Sequence, residues 1–346
     1  MLNEVHTVGI TGAGCPGAKG IVDSLKGFEI VGFDSNVDNV AISPYLARLH
    51  NVLPGSDSNY IVDLLPKLED VDVLLPCTSD ELLPLALAVE NGQIQCPVAV
   101  SSSKAIRIAN NKFKLSKMFA NHAPATILAN GNNVISMAKT LGYPEKKVIV
   151  KPVEGSGSRG LMILSALAHK DFINKKPEEA YYTSDEANDR VGKEDQYVVQ
   201  EFIEGDEYSV DCYFSETGSF AVPRIRHKVR SGIAFDTEID MKQYGLRNLS
   251  LMMGKELGLK YCAGFQFIVE NDTKKPYLIE CNPRVQGSMP IVTAFPESYN
   301  PFYRAIEECL GHEVNDVPDL GCLHGFRMKR VWGGITTRNS QLIKEF

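Results

Sequence analysis

Between residues 5 and 103, four short apolar runs, VHTVGIT, FEIVGFD, VDVLLPCT and CPVAVS, are separated by helical stretches such as 16-PGAKGIVDSLKG-27 and 80-DELLPLALAVENG-92. Apolar strands interleaved with helix-length connections bury both faces only as a parallel sheet covered by helices. The segment therefore predicts an α/β, Rossmann-like parallel-sheet domain. Within it Gly12, Gly14 and Gly17 form GxGxxG directly after a strand, and Asp34 ends the next strand. That is the context of a dinucleotide fingerprint. The same glycines also suit a tight turn and close helix packing, with Pro16 starting the helix. Packing is the favoured reading, because a stronger phosphate-binding pattern lies downstream.

That pattern begins with 266-QFIVENDTKKPYLIECNPRVQGS-288. Two apolar runs, 264–270 and 277–282, flank the polar turn NDTKKP, so a β-hairpin is predicted. Strand side chains alternate, so Glu280 and Asn282 share one face while Ile279 and Cys281 take the other. With Gln266 on the same face of the partner strand, three oxygen donors converge. A small oxygen-only set with room for phosphate oxygens suits Mg2+ carrying ATP better than Zn2+. Arg284 follows beside it, and a planar five-donor guanidinium can hold a phosphoryl group or a developing charge. Taken alone, a hairpin with a solvated polar face explains these residues equally well.

Other segments tip the balance. Residues 110–122 (NNKFKLSKMFANH) read as an amphipathic helix. The run 147-KVIVKPV-153 reads as a strand, followed by the loop 154-EGSGSRG-160 and a second strand, LMILS. A lysine-ended strand, a glycine–serine loop and a returning strand make a hairpin able to close over phosphates through backbone N–H groups. It is not a P-loop, since no GKT or GKS opens a helix. Residues 165–195 are polar and read as surface helices or an insertion carrying little chemistry. In 197-YVVQEFIEGDEYSVDCYF-214 two strands flank a glycine bend, with regularly placed acids.

A length of 346 residues predicts two or three domains, here 1–109, 110–198 and 199–346. A net charge of −7 argues against a nucleic-acid partner and for small-molecule substrates. No apolar run approaches the roughly 20 residues that span a bilayer, and the first residues lack a signal-peptide pattern; a cytoplasmic protein without a membrane partner is expected. Eight scattered cysteines without a CxxC pair suggest reduced, buried thiols.

With Lys112, the Lys151–Pro152 pair, GSGSRG, QEFIEGDEYSVD and QF…ECNPR in this order, the chain resembles the ATP-grasp superfamily. It looks closest to the carbamoyl-phosphate synthetase large-subunit-like ligases, a branch that includes the pyrrolysine-pathway ligase. Each motif alone is weak; five in register are specific. The resemblance implies a nucleotide-fold domain that shapes a substrate wall without binding a dinucleotide, followed by an ATP-grasp fold of two α+β subdomains. Lys112 and Lys151 would touch the ATP phosphates, and Glu154 would be a further nucleotide-binding residue. Ser156, Gly157 and Ser158 would lie in the closing loop. Glu201, Phe202 and Ile203 would form the adenine hinge, and Glu207 would bind the ribose. Gln266, Glu280 and Asn282 match ligands for two Mg2+ ions, with Mn2+ an admissible substitute, and Arg284 matches the arginine that steadies the transferred phosphate. Relatives often have Asp before the first lysine, where this chain has Asn110 and Asn111. A full carbamoyl-phosphate synthetase has two modules, so the single module here argues against that reaction.

The implied chemistry is ATP-dependent, ADP-forming activation of a small carboxylate as an acylphosphate, then attack by an amine. It needs positioning and charge rather than a side-chain nucleophile. The basic cluster 224–230 supplies Arg230 as a second candidate cation, with His227 as readily structural. A homodimer is an admissible assembly. Two rival readings are an NAD(P)-dependent oxidoreductase using the N-terminal glycines and a non-catalytic ATP-binding module. Candidate substrate segments are 77–81, Arg230 and 286–290.

Overall fold

A computed structural model describes residues 6–155, 160–166, 181–216, 218–230, 232–243, 245–294, 300–313, 319–331, 335–338 and 341–345. The N-terminal strands β1 (Thr7–Thr11), β2 (Glu29–Asp34), β3 (Arg48–Asn51) and β4 (Val73–Leu75) form a parallel sheet in the order β3-β2-β1-β4. The expected strand in CPVAVS is absent. Only one parallel bridge, Leu74 to Val98, forms there, because Pro97 has no N–H for a ladder and the chain turns into a helix capped by Ser102. β3 escaped the reading because RLHN is a polar edge sequence, which the rim of a sheet tolerates.

The middle of the chain builds a second sheet from β5 (Thr126–Asn130), β6 (Val148–Pro152), β7 (Met162–Leu164), β8 (Tyr181–Tyr182) and β9 (Gln196–Glu201), in the order β5-β9-β6-β7-β8. A third sheet contains β10 (Gly205–Phe214), β11 (Phe220–Arg230), β12 (Ile233–Ile239), β13 (Tyr261–Glu270), β14 (Pro276–Asn282) and β15 (Arg327–Lys329), in the order β14-β13-β10-β11-β12-β15. β16 (Ile335–Arg338) and β17 (Gln341–Glu345) pair separately.

The third sheet is amphipathic by register. Tyr208, Val210, Cys212, Phe265, Phe267, Leu278 and Cys281 face a core that also holds Leu246, Met253 and Leu257 of helix Leu246–Leu257. The opposite face takes the alternate residues. Ser209 pairs with Gln266 and Arg224, and Gln266 pairs with Glu280. A bulge falls between Gln266 and Phe267, and the extra residue it admits breaks strict alternation. Ile279, expected on the core face with Cys281, lines a cleft beside Glu280 instead.

The parallel sheet docks on this second face. Val8, Ile10 and Val73 share one core with Tyr213, Val222 and Cys262, joined by Phe302, Ala305 and Ile306 of helix Pro301–Cys309. At the seam the glycine loop touches backbone: a Cβ on Gly17 would lie 2.9 Å from Gly287 Cα. Arg330 closes the seam, donating to Pro16 O (2.9 Å), Gly287 O (2.6 Å) and Ala234 O (3.1 Å). Gly17→Ala should therefore cost about 1–3 kcal/mol of stability, the usual range for overpacking against a surface that cannot yield. Denaturant midpoints check this, and an unchanged midpoint would mean the seam is soft.

Candidate active site

Two cavities meet at the polar face of the third sheet. The first, about 450 Å3, lies between the second and third sheets and is lined by Lys112, Lys151, Glu201, Phe202, Ile203 and Glu207. The second, about 430 Å3, lies between the third sheet and the N-terminal domain and is lined by Cys15, Thr78, Ser79, Arg226, Asn282 and Arg284. Gln266 and Glu280 line both. The cross-strand pair is thus the shared wall, and any group passing between the cavities passes these oxygens.

Both lysines are placed by backbone. Lys151 is only 7 % exposed and donates to Ile279 O (3.1 Å), the carbonyl released by the β14 bulge. Burial, then the neighbouring Lys112 charge, pushes its pKa down to about 8, while Glu280 and Glu207 pull the other way. Lys112 opens its helix with Asn111 as cap and donates to Gly155 O (2.6 Å). Burial lowers its pKa as well, opposed by Glu280 and Glu154. Two desolvated ammonium groups side by side, with the Glu280 carboxylate acting on both, create a cationic floor suited to a polyanion.

Not every expected residue converges. Glu154 is exposed beside Asn111 and outside the cleft lining. Ser156, Gly157 and Ser158 lie outside the described residues. Glu207 lines the first cavity, but its Oε1 accepts from Arg226 Nη1, whose guanidinium lines the second. Arg230 lies away from Glu280, over the Phe235 ring at 5.1 Å in a separate basic depression with Lys228, Lys329 and Arg330. Two register shifts, between Arg226 and Lys228 and between Lys228 and Val229, interrupt the strict alternation that would carry Arg230 to the face of Arg226. Arg226, rather than Arg230, lines the second cavity. His227 pairs with Glu238 (3.2 Å) on the outside.

The family comparison fits this arrangement. The ATP-grasp domain matches residues 109–288, more than half of the chain. The chain belongs to the ATP-grasp family. No curated protein sequence matches it significantly. Among solved structures, the fold is similar to biotin carboxylase from Campylobacter jejuni (TM-score 0.66, 17 % identity, 93 % of this chain and 74 % of that one). It is also similar to N5-carboxyaminoimidazole synthetase from Staphylococcus aureus in complex with ADP (TM-score 0.63, 14 % identity, 89 % and 78 %). L-amino acid ligase from Bacillus licheniformis has the same fold (TM-score 0.58, 14 % identity, 83 % and 68 %). These likenesses span 83 to 93 % of the chain, more than the segment 109–288 alone.

In this ATP-grasp chain the N-terminal glycines serve packing. Gly14 N–H donates to Asp34 Oδ2 (2.8 Å), and Asn36 N–H takes the other oxygen (2.9 Å), so the carboxylate that a fingerprint would offer to a ribose holds its own loop. The family's divalent metal has a fitting donor set. Among the described residues, the side chains of Gln266, Glu280 and Asn282 have no hydrogen-bond or ion-pair partner, and all three line the second cavity. No group of three His, Cys, Asp or Glu side chains offers a competing site among those residues. Sequence reasoning missed Tyr181, Lys147 and Gln200 in the cleft lining. Tyr181 fell in the segment expected to carry little chemistry; nothing in its local pattern distinguishes it. No helix among the described residues is long and apolar enough to cross a membrane.

Proposed function

We propose that this ATP-grasp enzyme is an ADP-forming ligase that activates a small carboxylate with ATP for attack by an amine. The observation carrying this reading is the shared wall: Gln266 and Glu280 face a nucleotide-sized cleft on one side and an acceptor-sized cavity on the other. ATP lies in the first cavity with adenine at Glu201–Ile203, ribose at Glu207 and phosphates over Lys112 and Lys151. The carboxylate lies in the second. Its oxygen attacks the γ-phosphorus and the bond to the β-γ bridging oxygen breaks, giving ADP and an acylphosphate. An amine then adds to the acyl carbon and expels phosphate, losing one proton. Gln266, Glu280 and Asn282 would hold Mg2+, or Mn2+ in its place, which neutralises phosphate charge when bound. Arg284 faces the migrating phosphoryl group. The boundaries near residues 109 and 198 serve as the working division of the three domains.

Incubation with Mg-ATP and pools of carboxylates and amines, following ADP release, tests the reaction. Dependence on both partners is expected; ATP turnover that no carboxylate stimulates would overturn it. A parallel thermal titration with NAD(H) should leave the midpoint unmoved, because a ligand stabilises only a fold it binds.

Lys151 supplies a second check. In the folded protein the Lys151 pKa lies below the ordinary lysine value, so neutral Lys151 is favoured as pH rises through about 8. The cost of holding it charged is fully present below that pH and fades toward the unfolded value near 10.5. Phosphates beside it restore the charge. Mg-ATP binding at pH of about 8.5 should take up a proton, and at about 6.5 should not. Calorimetry in two buffers of different protonation heat reads the difference, and equal uptake at both pH values would place the phosphates elsewhere.

A further inference from the structure

The geometry points to Ser79, on the N-terminal domain, as the residue that positions Arg284. This inference rests on the reading of Arg284 given above. Arg284 Nε donates to Ser79 Oγ at 2.7 Å, and Nη1 donates to Val285 O, also at 2.7 Å. Nη2 keeps no protein partner among the described residues. Only the Ser79 contact fixes the guanidinium from outside its own strand end. A carbonyl one residue away constrains a four-torsion side chain weakly, whereas a second anchor on another domain selects one direction.

Ser79 is itself held by a built support. It lies between β4 and helix Leu82–Glu90, next to Glu81, which is 4 % exposed. One oxygen of Glu81 accepts from Thr11 Oγ1 (2.5 Å), Cys77 N–H (3.0 Å) and Thr78 N–H (2.7 Å); the other accepts from Tyr60 OH (3.3 Å). A buried carboxyl gathering a strand hydroxyl and two successive loop amides fixes the backbone that presents Ser79. Glycines permit the approach: a Cβ on Gly55 would stand 2.7 Å from Glu81 Cα, and Gly12, at φ +58°, leaves room for Thr78. The N-terminal sheet thus reaches through Glu81 and Ser79 to the cation just after β14, in the cavity that Gln266 and Glu280 also line.

The test uses Mg-ADP alone and Mg-ADP with aluminium fluoride, a stand-in for the transferring phosphoryl group, so the acceptor need not be known. The wild-type protein should bind the fluoride complex more tightly than Mg-ADP alone. Ser79→Ala should lose about 10- to 100-fold of that increment, the usual loss on removing a supporting partner, with affinity for Mg-ADP alone unchanged. Ser79→Thr keeps the oxygen and should restore it. In an Arg284→Ala background, Ser79→Ala should add nothing. A Ser79→Ala protein with the wild-type increment, a threonine variant as impaired as alanine, or an equal loss for both complexes would overturn the assignment. If Arg284→Ala itself leaves the increment intact, or the wild type has none, the role given to Arg284 fails first and takes this inference with it.

Discussion

Replacing Glu280 with glutamine should cut turnover by at least the roughly 100- to 1000-fold that one preorganised electrostatic contact supplies, with the fold intact. The substitution conserves shape. Glu280 gives its carboxylate to no hydrogen-bond or ion-pair partner among the described residues, so the substitution breaks no such contact within the chain. What disappears is the only formal negative charge in the donor set, Gln266 and Asn282 being neutral. The same charge opposes the downward pKa shifts of Lys112 and Lys151, so glutamine should depress both further and weaken the cationic floor above about pH 8 as well. ADP release at saturating Mg2+, with a thermal scan to verify folding, decides the matter. Near-normal turnover would remove Glu280 from the metal and leave the polar face unexplained.

The reasons this site was legible lie in strand geometry. Gln266, Glu280 and Asn282 could be read together because alternation is strict wherever a strand is regular, and the hairpin register pairs Gln266 with Glu280 as that rule requires. Reading failed where register slips. Ile279 changed faces at a bulge, and two register shifts between β11 and β12 interrupt the alternation before Arg230, and none of the three is marked by glycine. The parallel sheet was visible in buried apolar runs, whereas its edge was not: RLHN has no apolar pattern, and CPVAVS has one but carries Pro97. Contacts between distant segments were invisible by nature. Nothing in CTSDE announces that Ser79 will meet an arginine 205 residues later, and nothing in the GxGxxG pattern says that Gly17 faces Gly287.

Arg284→Ala should lower the chemical step by about 100- to 1000-fold, or roughly 2.7 to 4 kcal/mol, while leaving ADP affinity nearly unchanged. The split follows from where the side chain lies. Arg284 lines the second cavity and is absent from the lining of the first, whose cations are Lys112, Lys147 and Lys151. In the proposed arrangement ground-state ADP meets the lysines, and the guanidinium meets only a phosphoryl group that moves past Gln266 and Glu280. An interaction present in the transition state and missing in the nucleotide complex lowers the rate without touching binding. Single-turnover ADP formation and equilibrium ADP titration on the same variant separate the two quantities. A large loss of ADP affinity with little change in the chemical step would place Arg284 against the nucleotide. The transition-state cation would then have to be Arg226, which lines the acceptor cavity but is already held by Glu207 and Gly232 O. Recruiting it would require breaking an ion pair with the residue proposed to hold the ribose, so in that case ADP affinity and turnover should fall together in Arg226→Ala.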